Sequence, residues 1–432
     1  MPEWYLDFVD LSYTPKEDDL IALFRIEPAE GVKMEEAAGR VASESSIGTW
    51  TTLTTLKPSM RMLMAKVYEI RESWVKIAYP LELFEEGSIA GLMSAVAGNI
   101  FGMKALEALK LIDLHLPREY LRKFKGPTYG KTAIKKIFRK SSGPITAVVP
   151  KPKVGFTAQE HAAEVGYTLW KGGIDCIKDD ENLTSQKFNR FEKRVELLAR
   201  FREKAEGETG EVKEAFINVT APNLKELERR IKLVHDNGFT YFMIDVVVSG
   251  FTAVQTAAEM AHDLRMAIHG HRAMHAAMTR NPRHGVSMLL LAKLMRTIGI
   301  DQLHIGTVIG KLAGGKDEVT ATKEMIMNQS VAEIEGLRMS QDWGRIKPML
   351  PVASGGLHPG LLPEVFDIYG TTDIVVQVGG GTLGHPAGVE AGARAVVQAI
   401  EAYKKGIELE EYARTHEELR IALEHWGHTK PR

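Results

Sequence analysis

From about residue 144 onward, short apolar runs rich in β-branched residues alternate with longer stretches of helical period. The runs are ITAVVPKP (145–152), DCIKDD (175–180), EAFINVT (214–220), YFMIDVVV (241–248), MAIHGHR (266–272), DQLHIGT (301–307), MLPVASGG (349–356) and DIVVQVGG (373–380). Most of them end in Gly, Ser, Thr or a charged residue. Between them lie helical candidates such as FNRFEKRVELLARFREKAE (188–206) and NLKELERRIKLVHDNG (223–238). The first connection opens with Thr157 followed three residues on by Glu160, the spacing of a capping box, in which each residue satisfies the other's free backbone N–H. Strands that are apolar almost throughout belong to a parallel sheet covered on both faces. Eight such strand–helix units predict an α/β fold closed as a (β/α)8 barrel.

The first 135 residues lack this rhythm. LIALFRIEP (20–28) and the alternating MAKVYEIRESWVKIAYP (64–80) read as strands, whereas EEAAGRVASES (35–45) and SIAGLMSAVAGNIFG (88–102) read as helices. The prediction is a smaller α+β N-terminal domain over 1–135 and the barrel with a C-terminal helical tail over 136–432. The charged KFKGPTYGKTAIKKIFRKSSGP (123–144) reads as the linker into the barrel, and EEYARTHEELRIALEHWG (410–427) as a closing helix.

Charge removes several partners. Lys+Arg 55 against Asp+Glu 56 leaves a formal net charge of -1, so no general field calls for nucleic acid or an anionic membrane. An anionic substrate must therefore be met by a local cluster of cations. The single cysteine, Cys176, has no internal disulfide partner, which fits a reducing cytoplasm. The N-terminal residues lack a signal peptide's basic start and apolar run, and no stretch approaches the roughly 20 apolar residues that span a bilayer. A cytoplasmic location is expected.

In β/α barrels the C-terminal ends of the strands and the loops after them carry the chemistry. The unusual polar residues gather there: Lys151 and Lys153 after strand 1, Lys178, Asp180 and Glu181 after strand 2, His269, His271 and Arg272 on strand 5, and His304 on strand 6. Ser354-Gly355-Gly356 and Gly379-Gly380-Gly381 close strands 7 and 8. Lys178-Asp179-Asp180-Glu181 supplies carboxylates that suit a hard cation such as Mg2+; equally, an acidic cluster can simply favour a helix N-terminus. Lys178 among them is either an ion-pair partner or an amine that reacts with CO2 to give a carbamate, a third oxygen ligand. Paired lysines at 151 and 153 suit proton transfer or are two solvated surface groups. The spacing of His269 and His271 puts both rings on one strand face, and the Arg272 fork matches two phosphate oxygens. Glycine-lined strand ends let backbone N–H groups approach a phosphate, or only make turns. A stretch with glycines near both ends and one central lysine, Gly306 to Lys316, has the composition of a lid or of a plain mobile loop. Together these residues imply a magnesium enzyme acting on a small phosphorylated sugar by proton abstraction beside a carbonyl.

GGIDCIKDDEN (172–182) resembles the large subunit of ribulose-bisphosphate carboxylase/oxygenase (RuBisCO), and seven further motifs match in order. They are ESSIGTWTT (44–52), AGNIFGMK (97–104), PKPKVG (150–155), HGHRAMHA (269–276), HIGTVIGKL (304–312), VASGGLHPG (352–360) and VGGGTLGHP (378–386). The spellings of the His-Gly-His and Gly-Leu-His-Pro-Gly motifs and the short tail resemble the archaeal form III type. This resemblance implies that Lys178 carries an activating CO2 as a carbamate and binds Mg2+ with Asp180 and Glu181. It implies that Lys151 handles protons at the reacting carbons, that His271 is a second acid/base group, and that Lys311 in the lid stabilises the carboxylation transition state. Lys153 becomes a substrate contact, Arg272 and His304 contacts to one phosphate, and Ser354 a hydroxyl contact. Gly356, Gly379 and Gly380, with Thr49 and Trp50, match the pocket for the other phosphate, and Gly355, Gln377 and Val378 are carried over as further substrate contacts. Glu44, Thr49, Trp50 and Asn99 reach the active site of a partner subunit in the family, so a homodimer with shared sites, without a small subunit, is implied.

The implied reaction is Mg2+-dependent enolisation of ribulose 1,5-bisphosphate, addition of CO2 or O2, and cleavage to two 3-phosphoglycerates, with a role in nucleoside-phosphate salvage. Val149 stands where plant-type enzymes have a substrate-contacting threonine, and Cys176 where the family usually has an aromatic residue. Three other readings compete. A RuBisCO-like enolase or isomerase that does not fix CO2 typically loses several of the phosphate and lid residues kept here. A carbamylated-lysine amidohydrolase wants His-x-His on strand 1, where this chain has lysines. A non-catalytic barrel predicts no binding of Mg2+ or a bisphosphate.

Overall fold

All eight apolar runs form strands: Ile145–Val148 (β1), Cys176–Lys178 (β2), Glu214–Phe216 (β3), Tyr241–Asp245 (β4), Ala267–His271 (β5), Gln302–His304 (β6), Leu350–Ser354 (β7) and Val375–Gln377 (β8). The structure is a computed structural model that describes residues 2–309 and 315–431. Its strands lie parallel in the order β3-β2-β1-β8-β7-β6-β5-β4. The ring closes just past β3, where Val219 N donates to Met243 O at 2.9 Å and Met243 N to Ile217 O at 2.8 Å. This is the predicted parallel barrel.

Side chains alternate along a strand, so every second residue faces the interior. Ala147, Cys176, Phe216, Met243, Val352 and Val375 meet in an apolar floor. Two residues further along the same strands stand Val149, Lys178, Asn218, Asp245, Ser354 and Gln377. The floor is therefore dry and the rim polar. Cys176, fully buried in that floor, fills space; burial first, then Asp175 and Glu214, pushes its thiol well above the ordinary range.

The segment 123–144 is more than the expected linker. It carries a helix, Gly130–Ile137, whose Ile134 joins the floor together with Phe138 just beyond the helix. The Asp301 carboxylate ties the start of this helix to β5 by accepting from Tyr129 N (2.8 Å), Gly130 N (2.9 Å) and Ile268 N (3.0 Å). The Thr157–Glu160 box is formed: Thr157 N donates to Glu160 Oε2 at 2.7 Å and Glu160 N to Thr157 Oγ1 at 3.2 Å. The single closing helix expected over 410–427 is instead two, Leu409–Ala413 and Glu417–Trp426. Between them His416 folds back, its ring stacked 3.7 Å from that of Tyr412 and its Nδ1 2.8 Å from Tyr412 O.

The described residues divide into two compact units, and the division does not follow chain order alone. One unit holds the barrel: Pro127–Ala273, Gly299–Met327 and Lys347–Arg432. The other takes Met1–Gly126 with Met274–Ile298 and Asn328–Ile346, two segments the sequence reading placed with the barrel. In that second unit Leu20–Pro28 lies antiparallel between Trp74–Tyr79 and Leu106–His115, with Lys66–Arg71 outside. The short strand Gly285–Val286 adds in parallel to Leu106–His115. Inside it, the buried Lys293 and Asp113 pair at 2.7 Å, which fastens helix Met288–Ile298 to that sheet. Among the described residues no helix is long and apolar enough to cross a membrane.

Candidate active site

The C-terminal ends of the barrel strands surround a cavity of about 640 Å³. Its walls bring together Lys151, Lys153, Glu181, His271, Ser354, Gly355, Gly356, Gln377, Gly379 and Gly380 of the expected residues, with Val149, Gly381, His358 and Trp426 beside them. Strand order explains this convergence: the two lysines follow β1, Glu181 follows β2, His271 ends β5, and the serine and glycines follow β7 and β8.

Opposite charges interlock at one side of the cavity. Lys151 Nζ donates to Asp180 Oδ2 at 2.7 Å, and Lys153 Nζ lies 3.6 Å from Glu181 Oε1. Each of the two lysines thus sits on its own carboxylate. Beneath them Lys178 is fully buried, its Nζ donating to Asp179 O at 2.8 Å and standing 4.0 Å from Glu181 Oε2. Burial lowers the Lys178 pKa against the pull of Glu181, Asp245 and Asp180. For Asp180 burial works upward, but the Lys151 ammonium, the Asn182 N–H and Lys178 together hold the carboxyl low. Glu181 follows the same logic: burial raises it, and Lys178 and His271 bring it below the ordinary value. The site thus keeps negative charge in a buried place because cations stand beside it.

His271 presents Nε2 3.6 Å from Glu181 Oε2, while its Nδ1 is 3.1 Å from Asp245 Oδ1. Burial, then Lys178, lowers its pKa in spite of that aspartate. His304 is buried, with Nδ1 2.7 Å from Ser354 Oγ. Arg272 is buried too, and burial brings its pKa down to about 10; a Cβ placed on Gly306 would sit 3.3 Å from its Nη2. Gly355 and Gly356 follow β7 with φ of 108° and 79°, a backbone region that favours glycine. Gly381 is small for another reason: a Cβ there would stand 2.3 Å from Leu357 O.

Two family models cover nearly all of the chain: the ribulose bisphosphate carboxylase large chain catalytic domain matches residues 131–426, and the N-terminal domain of the same chain matches residues 7–120. The chain belongs to the ribulose bisphosphate carboxylase large-chain family. A relative from Pyrococcus abyssi, called ribulose bisphosphate carboxylase, is 52% identical over 434 residues, which is 100% of this chain and 98% of the relative. The dimeric archaeal Rubisco from Hyperthermus butylicus superposes with a TM-score of 0.93 at 50% identity, over 98% of this chain and 100% of that one. The octameric Rubisco from Pyrococcus horikoshii, in complex with sulfate ion, gives 0.92 at 51% identity, over 99% and 98%.

Not every residue suggested by the RuBisCO resemblance reaches the cavity. Val378 is fully buried and spends its N–H on Ala147 O at 3.0 Å. Lys311 lies outside the described residues. Glu44, Thr49, Trp50 and Asn99 belong to the other unit. There Glu44 ends helix Met34–Glu44, Trp4 Nε1 donates to Thr49 O at 2.9 Å, Trp50 is 64% exposed, and Asn99 is exposed.

Sequence reasoning missed the residues that hold this site in shape. Asn218 Nδ2 donates to Glu181 O at 3.2 Å and to Asp245 Oδ2 at 3.3 Å, linking the carboxylate loop to the aspartate behind His271. Both stand at rim positions of strands 3 and 4, and their place at those strand ends was the available signal. Asp179, between Lys178 and Asp180, turns the other way: its Oδ2 accepts from Arg194 Nε and Asn218 N, both at 3.0 Å. Arg194 is fully buried and also donates to Thr184 O at 2.7 Å, so one ion pair pins the whole turn after β2.

Proposed function

We propose that the chain is a Mg2+-dependent ribulose-bisphosphate carboxylase, which adds CO2, or O2 in competition, to ribulose 1,5-bisphosphate. The observation that carries this reading is the convergence of Lys178, Asp180 and Glu181 beneath a cavity flanked by Lys151, Lys153 and His271, in a chain half identical to carboxylases along its whole length.

The donor set suits a hard cation. Asp180 and Glu181 supply oxygen, and among the described residues no third His, Cys, Asp or Glu joins them to form a metal-binding group. Lys178 is the residue that would complete it. Loss of one proton gives the neutral amine, and its addition to CO2 forms an N–C bond and releases a second proton, so that a buried cation becomes an anionic oxygen donor. Mg2+ held by Lys178, Asp180 and Glu181 would polarise the substrate's C2 carbonyl.

The remaining work falls to the chain's own groups. Lys151 reaches the cavity from its place on Asp180 and handles protons at the reacting carbons. His271, oriented through Nδ1 by Asp245, is the second acid/base group. Arg272 takes one phosphate, with His304 beside it holding Ser354 through Nδ1; backbone N–H groups of Gly356, Gly379 and Gly380, with Thr49 and Trp50 of a second copy, take the other. Lys153, Ser354, Gly355 and Gln377 orient the sugar, and Lys311 serves the carboxylation step. Loss of the C3 proton gives an enediolate whose carbon bonds to CO2; hydration and C2–C3 cleavage then yield two 3-phosphoglycerates. Exposure of Trp50 and Asn99 supports a homodimer in which Glu44, Thr49, Trp50 and Asn99 complete a neighbour's site. We place its work in the cytoplasm and in nucleoside-phosphate salvage, as the resemblance to the archaeal form implies. The test is product analysis after incubation with ribulose bisphosphate, bicarbonate and Mg2+: phosphoglycerate supports the reading, and an isomerised sugar phosphate without carbon fixation replaces it with an enolase or isomerase.

A further inference from the structure

One row of the barrel ladder runs Met243, His269, Gln302, Leu350. Two polar residues stand between two apolar ones, below the rim and fully buried. Burying such groups is costly unless each finds a partner. They find partners in series: Gln302 Nε2 lies 2.7 Å from His269 Nδ1, His269 Nε2 lies 2.8 Å from His304 Nε2, and His304 Nδ1 lies 2.7 Å from Ser354 Oγ. The His269 ring is stacked flat on Phe216 at 4.4 Å and 9°. The series starts in the interior and ends on the cavity wall, because Ser354 lines the cavity.

Two proton arrangements satisfy all three bonds. In one, the Gln302 amide donates, His269 carries its proton on Nε2, and His304 carries its own on Nδ1. Ser354 Oγ then accepts from below, and its hydrogen is left to donate into the cavity. In the other, the Gln302 amide is turned over so that its oxygen accepts from His269 Nδ1, the two remaining bonds are reversed, and Ser354 spends its hydrogen on His304. The first leaves only Gln302 Oε1 buried without a partner among the described residues. The second would bury the amide N–H groups unpaired, and orphaned N–H groups are rarer than under-used carbonyls. Burial, with the nearby Lys178 and His271, keeps both rings neutral, as the series requires.

We propose that Gln302 and His269 are positioning residues that set the His304 tautomer and thereby turn the Ser354 hydroxyl outward as a hydrogen-bond donor to the bound sugar bisphosphate. The inference rests on the bisphosphate reading of this cavity. Gln302→Glu tests it, because a carboxylate accepts from His269 Nδ1–H and drives the series into the reverse arrangement. Losing one neutral hydrogen bond raises the KM for ribulose 1,5-bisphosphate by about three- to tenfold with kcat little changed. In a Ser354→Ala background the same substitution adds less than about twofold. Equal losses in both backgrounds, or a loss under about twofold with Ser354 present, overturn the proposal.

The wild-type chain gives a second readout that does not depend on a variant folding. Nitrogen-15 correlation spectra of histidine-labelled protein are expected to show His269 protonated on Nε2 and His304 on Nδ1, and the opposite assignment overturns the proposal. If wild type leaves the bisphosphate unconverted, the functional reading fails, while the tautomers still report on the hydrogen-bonded series itself.

Discussion

Glu214 opens β3 at the floor of the barrel, and Asp180 and Glu181 follow β2 at its rim. Glu214 and Asp180 are buried and Glu181 is half-buried, yet floor and rim are tuned in opposite directions. At the floor, burial pushes Glu214 up to about 7 against the counter-pull of Arg202, and leaves Oε2 without a partner among the described residues. Asp301, also at the floor, goes up to about 6 even though three backbone N–H groups point at it. At the rim, Lys151 and Lys178 reverse the same effect, and the carboxylates stay charged. Hydrogen bonds alone do not keep charge inside this barrel; adjacent cations do. Each end is suited to a different task, the floor to holding the strands together and the rim to charge-based chemistry.

The largest expected effect comes from removing the deepest cation of the rim. Lys178→Ala leaves Asp180 and Glu181 with no lysine to convert, and carboxylation is expected to fall by about a thousandfold or more, about 4 kcal/mol of barrier. Loss of activation by CO2 and Mg2+ in initial-rate assays checks this; full activity would overturn the ligand assignment. Arg194→Met strips Asp179 of its buried guanidinium partner, leaving His161 Nε2 at 3.2 Å, and is expected to cost about 3–5 kcal/mol in urea unfolding. A loss below about 1 kcal/mol would show that the pair does not pin the turn after β2.

The floor makes its own prediction. Folded Glu214 holds its proton up to about 7, whereas an exposed Glu releases it near 4.5, so the folded chain binds this proton more tightly than the unfolded one. The contribution to stability is fully present below 4.5, declines as pH rises, and is lost above about 7. Between those limits it amounts to something on the order of 3 kcal/mol. Glu214→Gln is expected to flatten that part of the curve when urea midpoints are compared between pH 5 and 8. A wild-type decline in the variant would reassign the effect. The smallest expected change is Thr157→Ala, which breaks the capping box at about 1 kcal/mol and should leave the KM for bisphosphate unaltered.

The difference between floor and rim also explains what could be read from sequence. The eight strands were legible because both faces are buried, so each reads as an unbroken apolar run. The rim residues were legible because they interrupt those runs at the same end. Strand Leu106–His115 escaped notice because Lys110 and Asp113 break its pattern, and both are buried on partners far along the chain. Lys110 Nζ donates to Thr279 O at 2.8 Å and Asp113 pairs with Lys293 at 2.7 Å, contacts that no local pattern announces. Helix Gly130–Ile137 hid among charges for a similar reason, since only Ile134 and Phe138 mark its buried side. Asn218, Asp245 and Gln302 matter through neighbours on adjacent strands, and such register becomes visible only once the strands are paired.

On the proposed function the rim assembles a carbon-fixing site around Lys178, Asp180 and Glu181. Incorporation of 14CO2 into acid-stable product with ribulose 1,5-bisphosphate, with and without Mg2+, tests this. Labelled 3-phosphoglycerate that depends on both the bisphosphate and the metal is expected. Consumption of the bisphosphate with no label fixed, or fixation indifferent to Mg2+, would contradict it.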